Sequence, residues 1–367
     1  MKKILIQFSS PGFAHNNIFN SKDINNAYVR WFELKRRLAV MGYELTTADD
    51  NNLTDCEGII FYNADSLYTP PDLKIKIKNV FRKIFSIPLP MIYPDRKLYE
   101  EAVSAGLADK LLLIIWEARA VCAANFYPST LAKFKRILTW DQDLLDSDQK
   151  FTRFYIPMES DEVTKNVIPF NQKKLLVNIS FNKYASYKND LYSERRKTIA
   201  FFDKYYPDDF DLFGHRWNRP ITRLQQTFPF LVKNFKTFHG ATMNKIDTLS
   251  RYKFNLCYEN ICDAKGYIAD RIFSSFYAKA VPVYWGAPDI DRFVDSDTYI
   301  DRRRFKSEAE LAEFLKLMTE EEHAKYISAA TRYMKSEKFA KFSPENFCET
   351  IIKTLDLKNL TNNNKQS

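Results

Sequence analysis

Residues 252–288, YKFNLCYENICDAKGYIADRIFSSFYAKAVPVYWGAP, constrain the fold more than any other stretch of the chain. Residues 254–258 form a short apolar run with aromatic content, the composition of a buried strand, and they deliver Glu259 and Asn260 to the loop at its C-terminal end. Beyond that loop Ile268, Ile272, Phe273, Phe276 and Ala280 are spaced as the apolar stripe of an amphipathic helix, with Gly266 just before it and Asp270 in its first turn. Backbone N–H groups and the positive end of the helix dipole would then face an anion, and Arg271 adds a planar fork suited to phosphate oxygens. Residues 281–285 read as a second buried strand, with Pro282 tolerable near its start, and Gly286-Ala287-Pro288 ends it. A strand–helix–strand unit of this kind belongs to an open α/β sheet, which takes ligands outside the C-terminal ends of its strands. The spacing alone favours a plain doubly wound repeat with Glu259 and Asp270 as solvated loop and cap residues, because such units are common and no glycine-rich phosphate fingerprint is present.

The rest of the chain repeats the α/β pattern. Residues 3–8, 43–47, 58–62 and 111–116 read as strands, and Trp31, Leu34, Leu38 and Met41 trace a helix that stops at Gly42. A further helix is expected around 97–105, while 73–85 mixes strand alternation with helical spacing and is assigned to neither. Residues 158–174 turn polar and irregular and mark the domain boundary. After them come strands at 175–180 and 210–214, a helix at 194–204, and helices at 308–317, 319–334 and 344–355. The expected organisation is an N-terminal Rossmann-like domain over 1–160, a C-terminal one over 161–361 and a polar tail at 362–367.

Bulk properties narrow the function classes. Lys and Arg number 55 against 46 Asp and Glu, an excess that suits an anionic ligand, whether sugar nucleotide, nucleic acid or acidic membrane surface. The densest basic cluster, Arg302–Arg304, is too short for a concentrated nucleic-acid footprint. Cys56, Cys122, Cys257, Cys262 and Cys348 are odd in number and lack CxxC spacing, so they read as reduced thiols of a cytosolic protein. No apolar window of about 18 residues exists, and the apolar part of MKKILIQFSS is too short for a signal peptide. Asp141-Gln142-Asp143 follows a strand-like run at 136–140 and Asp295-Ser296-Asp297 has the same spacing, but so short a pattern arises by chance. His15, His215, His239 and His323 show no paired metal or triad spacing, although His215 and Arg216 follow a strand and would sit at its rim.

Three linked blocks, YKFNLCYEN (252–260), GYIADRIFSSF (266–276) and AVPVYWGAP (280–288), resemble the signature of the family 10 glycosyltransferases, the α1,3/4-fucosyltransferases. Weaker similarity at 111–118, 136–146, 193–217 and 299–305 extends the resemblance over about residues 111 to 317. In place of the family's Glu-Lys pair in GYVTEK this chain has Asp270-Arg271, which keeps the charges and changes the geometry.

The resemblance implies the GT-B fold, two Rossmann-like domains facing across a cleft, in the bacterial cytosolic form of the family. It implies that Glu117, which follows the strand at 111–116, is the general base for an acceptor hydroxyl, although WEARA stands here where the family has a motif like NFESP. It places Arg195, with Arg196 as an alternate register, and Arg271 on the diphosphate of the donor. Tyr267 would reach the diphosphate or sugar, Asp270 the ribose and Asn260 the donor, with Glu259 supporting the loop among these donor-site residues. The expected reaction is inverting transfer of L-fucose from GDP-fucose to a saccharide hydroxyl, α1,3-type, in surface glycan or O-antigen synthesis. No metal ligand and no obligate cofactor are expected, since a GT-B enzyme with arginines on the phosphates needs no metal there. Expected partners are a GDP-sugar donor and an oligosaccharide or glycolipid acceptor, in the cytoplasm, with peripheral contact at the inner membrane and no nucleic acid. The alternatives are another GDP-sugar donor in the same fold, or a non-catalytic glycan- or nucleic-acid-binding protein.

Overall fold

The computed structural model describes residues 1–19, 29–67, 97–158 and 163–361. They divide into two compact units, one containing the described residues up to Phe154 and from Phe347 onward, the other spanning Tyr155–Asn346.

In the first unit, β1 (Lys2–Gln7), α1 (Val29–Val40), β2 (Tyr43–Thr47), β3 (Cys56–Tyr62), α2 (Leu98–Ser104), β4 (Leu111–Ile115), β5 (Ile137–Thr139) and β6 (Phe151–Arg153) follow in order. The sheet runs β2-β1-β3-β4-β5-β6 and every pair is parallel. Parallel strands are covered on both faces, so the apolar residues run on without alternation, and all five residues of β4 are buried. Trp31, Leu34 and Leu38 bury the stripe of α1. Gly42, at φ +91°, takes the left-handed conformation that ends the helix and lets β2 begin one residue later.

The second unit holds β7 (Lys174–Phe181), α3 (Tyr192–Tyr205), β8 (Phe210–His215), β9 (Tyr252–Tyr258), α4 (Arg271–Tyr277), β10 (Val281–Trp285), β11 (Ile300–Asp301), α5 (Glu308–Leu317) and α6 (Glu320–Tyr333). Its sheet is again parallel, in the order β11-β10-β9-β7-β8. Leu176, Phe202, Phe210, Leu212, Phe254, Leu256 and Val283 form its core. Thr319 and Glu322 make a reciprocal capping box at the start of α6. The chain moves from β7 to β8 on one side and returns to place β9 on the other, so the order of strands reverses between β7 and β9. The final helix, α7 (Pro344–Thr354), carries Phe347, whose fully buried ring meets Trp31 at 5.6 Å and Trp116 at 5.9 Å in the first unit.

The two parallel α/β units match the fold class expected from the sequence. Differences lie at the edges. The chain passes from the first unit to the second after Phe154 rather than at 160, and residues from Phe347 return to the first unit. The aromatic contacts of Phe347 are what draw that end back, and no sequence periodicity carries such a long-range pairing. β6 and β11, of three and two residues, are too short to show a pattern. α4 starts at Arg271 rather than near Ile268, because the turn at Gly266, φ +80°, is followed by irregular chain at 267–269. Residues 73–85, the tail at 362–367 and part of the polar stretch 158–174 lie outside the described residues. No described helix is long and apolar enough to cross a membrane, and all five cysteines are free thiols.

Candidate functional site

A cavity of about 310 Å³ opens in the second unit at the C-terminal ends of β7, β8 and β9. Ser180 and Phe181 line it from β7, Gly214 and His215 from β8, and Asn260 from just beyond β9. Arg195, Lys245, Asp270 and Arg271 close its polar side. This is the crevice beside the reversal of strand order, where loops leaving neighbouring strands diverge and leave room for a ligand.

Local capping aims Arg195 at the cavity. The Asp190 carboxylate accepts the backbone N–H groups of Tyr192 and Ser193 at 2.8 and 3.1 Å and so starts α3. One turn on, Arg195 is 2% exposed and its Nη2 donates to the carbonyl oxygens of Tyr258 and Glu259, at 2.5 and 2.9 Å. Its buried Nε has no hydrogen-bond partner. Arg196 points away and donates to the Lys183 carbonyl, so of the two registers read from the sequence it is Arg195 that reaches the site.

Glu259 is fully buried, and it occupies the backbone donors that the sequence left facing an anion. Its carboxylate accepts the Ala269 N–H at 2.9 Å and the Arg271 Nη1 at 3.0 Å. Arg271 also reaches the Asn260 Oδ1 at 3.4 Å, and the Asn260 Nδ2 donates to the Tyr267 hydroxyl at 2.8 Å. Gly286 permits this arrangement, since a Cβ there would stand 2.4 Å from both Glu259 Cγ and the Tyr284 hydroxyl. Glu259 is therefore the brace of Arg271. Tyr267 lies 3% exposed behind Asn260 and does not line the cavity, because its hydroxyl is turned onto that amide.

Asp270 lines the cavity at the N-cap of α4, but its carboxylate accepts Lys245 Nζ at 2.6 Å. Lys245, Lys183 and Tyr192 are cavity residues that sequence reasoning missed. Lys245 opens a short helix, Lys245–Leu249, capped by the Asn244 side chain, and the Asn-x-x-Asp spacing at 244–247 was the available signal.

The electrostatics favour an anion. Burial, reinforced by the neighbouring Arg271 guanidinium, pushes the Arg195 pKa down to about 9. Burial opposes the charge of Arg271 too, yet the Glu259 and Asp270 carboxylates outweigh it and hold this guanidinium firmly protonated. Burial raises the Glu259 pKa against the pull of Arg271. Two guanidiniums thus repel one another at the rim while one bonds only carbonyls, and a bound anion relieves both costs.

Glu117 belongs to the first unit, two residues past the end of β4 and half-buried at the C-terminal rim of that sheet. Its backbone N–H and that of Trp116 both donate to the Asn63 Oδ1 at 2.9 Å, and its carbonyl accepts the Asn125 Nδ2 at 3.0 Å. The remaining candidates have structural roles. Asp141 caps the helix Gln142–Leu145 and binds Arg119 at 2.7 Å, Asp295 pairs with Lys338 and Asp297 with Arg332. Among the described residues no three His, Cys, Asp or Glu side chains gather as a metal site. His215 lines the cavity with its ring on Phe181 at 4.7 Å, and Arg216 does not line it.

Residues 193–365 match the model of the glycosyltransferase family 10 (fucosyltransferase) C-terminal domain. An α-(1,3)-fucosyltransferase of Helicobacter pylori is 32% identical over 75 residues, 20% of this chain and 16% of that protein. The alignment thus spans about a sixth of that curated relative. A crystal structure of an α1,3-fucosyltransferase with GDP superposes with a TM-score of 0.52 at 14% identity, covering 97% of this chain and 90% of the other. The β-glucosyltransferase of T4 phage gives 0.52 at 13% identity over 97% of this chain and 100% of its own, and these two likenesses show the GT-B fold alone. The stretch 193–365, which holds the cavity's guanidinium pair, is thus similar to the C-terminal domain of glycosyltransferase family 10, the fucosyltransferases.

Proposed function

We propose that this protein is an inverting glycosyltransferase that moves L-fucose from GDP-fucose to a saccharide hydroxyl. The observation that carries the reading is the Arg195–Arg271 pair at the switch-point cavity, inside the segment that matches the family model. In the proposed reaction the two guanidiniums neutralise the departing diphosphate, a charge that grows in the transition state and is best met by preorganised donors. Asn260 and Asp270 position the donor, and Glu259 and Tyr267 hold Asn260 and Arg271 in place. Glu117 takes the proton of the acceptor hydroxyl as it attacks the anomeric carbon from the face opposite the leaving group. With the leaving charge met by arginine, we propose turnover without an obligate metal, in the cytoplasm, on a surface-glycan or O-antigen acceptor with α1,3-type linkage.

A second reading keeps this chemistry with a different GDP-linked sugar, and the Lys245–Asp270 ion pair favours it, because it engages the carboxylate expected at the ribose. Turnover of several GDP-sugars by wild type and Glu117→Gln tests both. The proposal expects GDP-fucose to be used best and Glu117→Gln to lose about a hundred- to ten-thousand-fold in kcat with donor affinity kept. Near-normal turnover by Glu117→Gln would remove the base, and a faster donor other than GDP-fucose would establish the second reading.

A further inference from the structure

Between Leu212 and Ile246 the chain carries no Asp or Glu, and it carries Arg216, Arg219, Arg223, Lys233, Lys236 and Lys245. Within that acid-free stretch Leu224, Phe228, Phe230 and Leu231 are 61%, 44%, 80% and 43% exposed. Four large apolar side chains within eight residues of one another form the densest such run among the described residues. Isolated exposed apolar residues are ordinary, whereas a cluster rimmed by one sign of charge marks an interaction surface.

The exposure is built in. Trp217 and Phe235, both buried, meet edge to face at 5.5 Å and clamp the two ends of the excursion. Inside it, Thr222 caps the short helix Arg223–Thr227 by accepting the Gln225 N–H, and Pro229 opens the next turn. The Gln225 side chain accepts the Ile221 N–H at 2.9 Å and donates to the Leu231 carbonyl at 3.4 Å, tying the loop across its middle. Phe228 and Phe230 touch ring to ring at 5.9 Å while both stay open to solvent. A self-braced backbone that still turns two phenylalanines and two leucines outward leaves them available to an apolar phase.

We propose that residues 219–236 form a docking surface for an anionic lipid bilayer, with Leu224, Phe228, Phe230 and Leu231 entering the interface and Arg219, Arg223, Lys233 and Lys236 meeting the headgroups. The pairing of short apolar wedges with flanking cations is the chemistry of peripheral interfacial binding, in which neither term anchors alone. A polyanion such as RNA would use the cations and leave the aromatic rings in water. An apolar protein groove would use the rings and gain little from the flanking cations. The surface also joins the cavity wall, since Trp217 Nε1 donates to the carbonyl of Ser180, a cavity residue, at 2.8 Å. Docking there would bring the cavity to a membrane-borne acceptor, although the binding itself does not depend on the donor.

The test is flotation of the full chain with vesicles of phosphatidylcholine and with vesicles of equal parts phosphatidylcholine and phosphatidylglycerol, at low and high salt. The proposal expects binding to the anionic vesicles, weakened by salt. It also expects about a tenfold or larger loss in the Phe228→Ser/Phe230→Ser variant and in the Lys233→Ser/Lys236→Ser variant, at about 1 kcal/mol per basic residue for the latter. Circular dichroism and thermal unfolding show that each variant is folded, and Arg196→Ser, outside the surface, controls for loss of charge. No vesicle binding by wild type, equal binding to neutral vesicles, or retained binding by the Phe228→Ser/Phe230→Ser variant would each overturn the assignment. Binding to heparin that survives loss of both phenylalanines, without vesicle binding, would assign the cations to a polyanion instead.

Discussion

The C-terminal rims of the two sheets present functional groups by opposite means. In the first unit, neutral amides hold one acid. Asn63 and Asn125, both buried, bond the backbone on either side of Glu117 and to each other at 3.0 Å, so the turn is fixed without a charge being buried. In the second unit the frame is itself ionic, with the fully buried Glu259 pulling Arg271 toward Arg195. An amide frame is cheap to bury and leaves its acid responsive to whatever substrate arrives. An ionic frame costs more to bury and stores unrelieved positive charge, which on the proposed reading suits a leaving diphosphate.

The comparison can be broken most severely at the ionic rim. Arg271→Ala leaves Glu259 buried without its partner and should cost about 3–5 kcal/mol of stability, read by urea unfolding. A loss below about 1 kcal/mol would show that the pair is solvent-screened and no frame. Acid should also separate the units, through His323 in the second. Its ring is packed against Phe170 and Phe254, its Nε2 donates to the Lys253 carbonyl, and burial pushes its pKa down to about 4. The unfolded chain therefore takes up a proton at about pH 6.5 that the folded one refuses, so stability falls as pH drops from there towards 4, by up to about 3 kcal/mol. Replacing His323 with Phe should flatten that slope, and an unchanged slope would assign it to other groups. The smallest effect is expected at the amide rim, where Asn63→Ala removes the acceptor of two backbone N–H groups and should cost about 1–3 kcal/mol. Turnover should fall while GDP binding stays. Asn63 sits at φ +62°, so Asn63→Gly relieves the backbone without restoring the bonds, and an equal loss assigns the effect to the bonds.

The parallel sheets were legible because buried strands such as β4 and β10 are short unbroken apolar runs that need no partner to be recognised. The start of α4 was not, because Ile268 is in register with the apolar stripe yet lies in the irregular chain before it, 1% exposed. Apolar spacing reports burial, and here a residue ahead of the helix is buried too. The phase of α3 decided between Arg195 and Arg196, and it is set by the Asp190 cap rather than by any periodicity. Lys245 escaped notice for a different reason, since it precedes β9 in sequence and reaches Asp270 only through the fold. The bonding of Tyr267 to Asn260 and of Glu259 to Ala269 likewise depends on the turn at Gly266, which the sequence marks by residue type but does not shape.

Calorimetric titration with GDP and GDP-fucose, with and without chelator, on wild type and on Arg195→Ala, tests the central claim most directly. The account predicts specific binding of both ligands by wild type that persists in chelator and weakens at least about tenfold in Arg195→Ala, because a charge-assisted contact of about 1.5–3 kcal/mol is removed. Absence of binding to either ligand, or binding indifferent to Arg195, would contradict it.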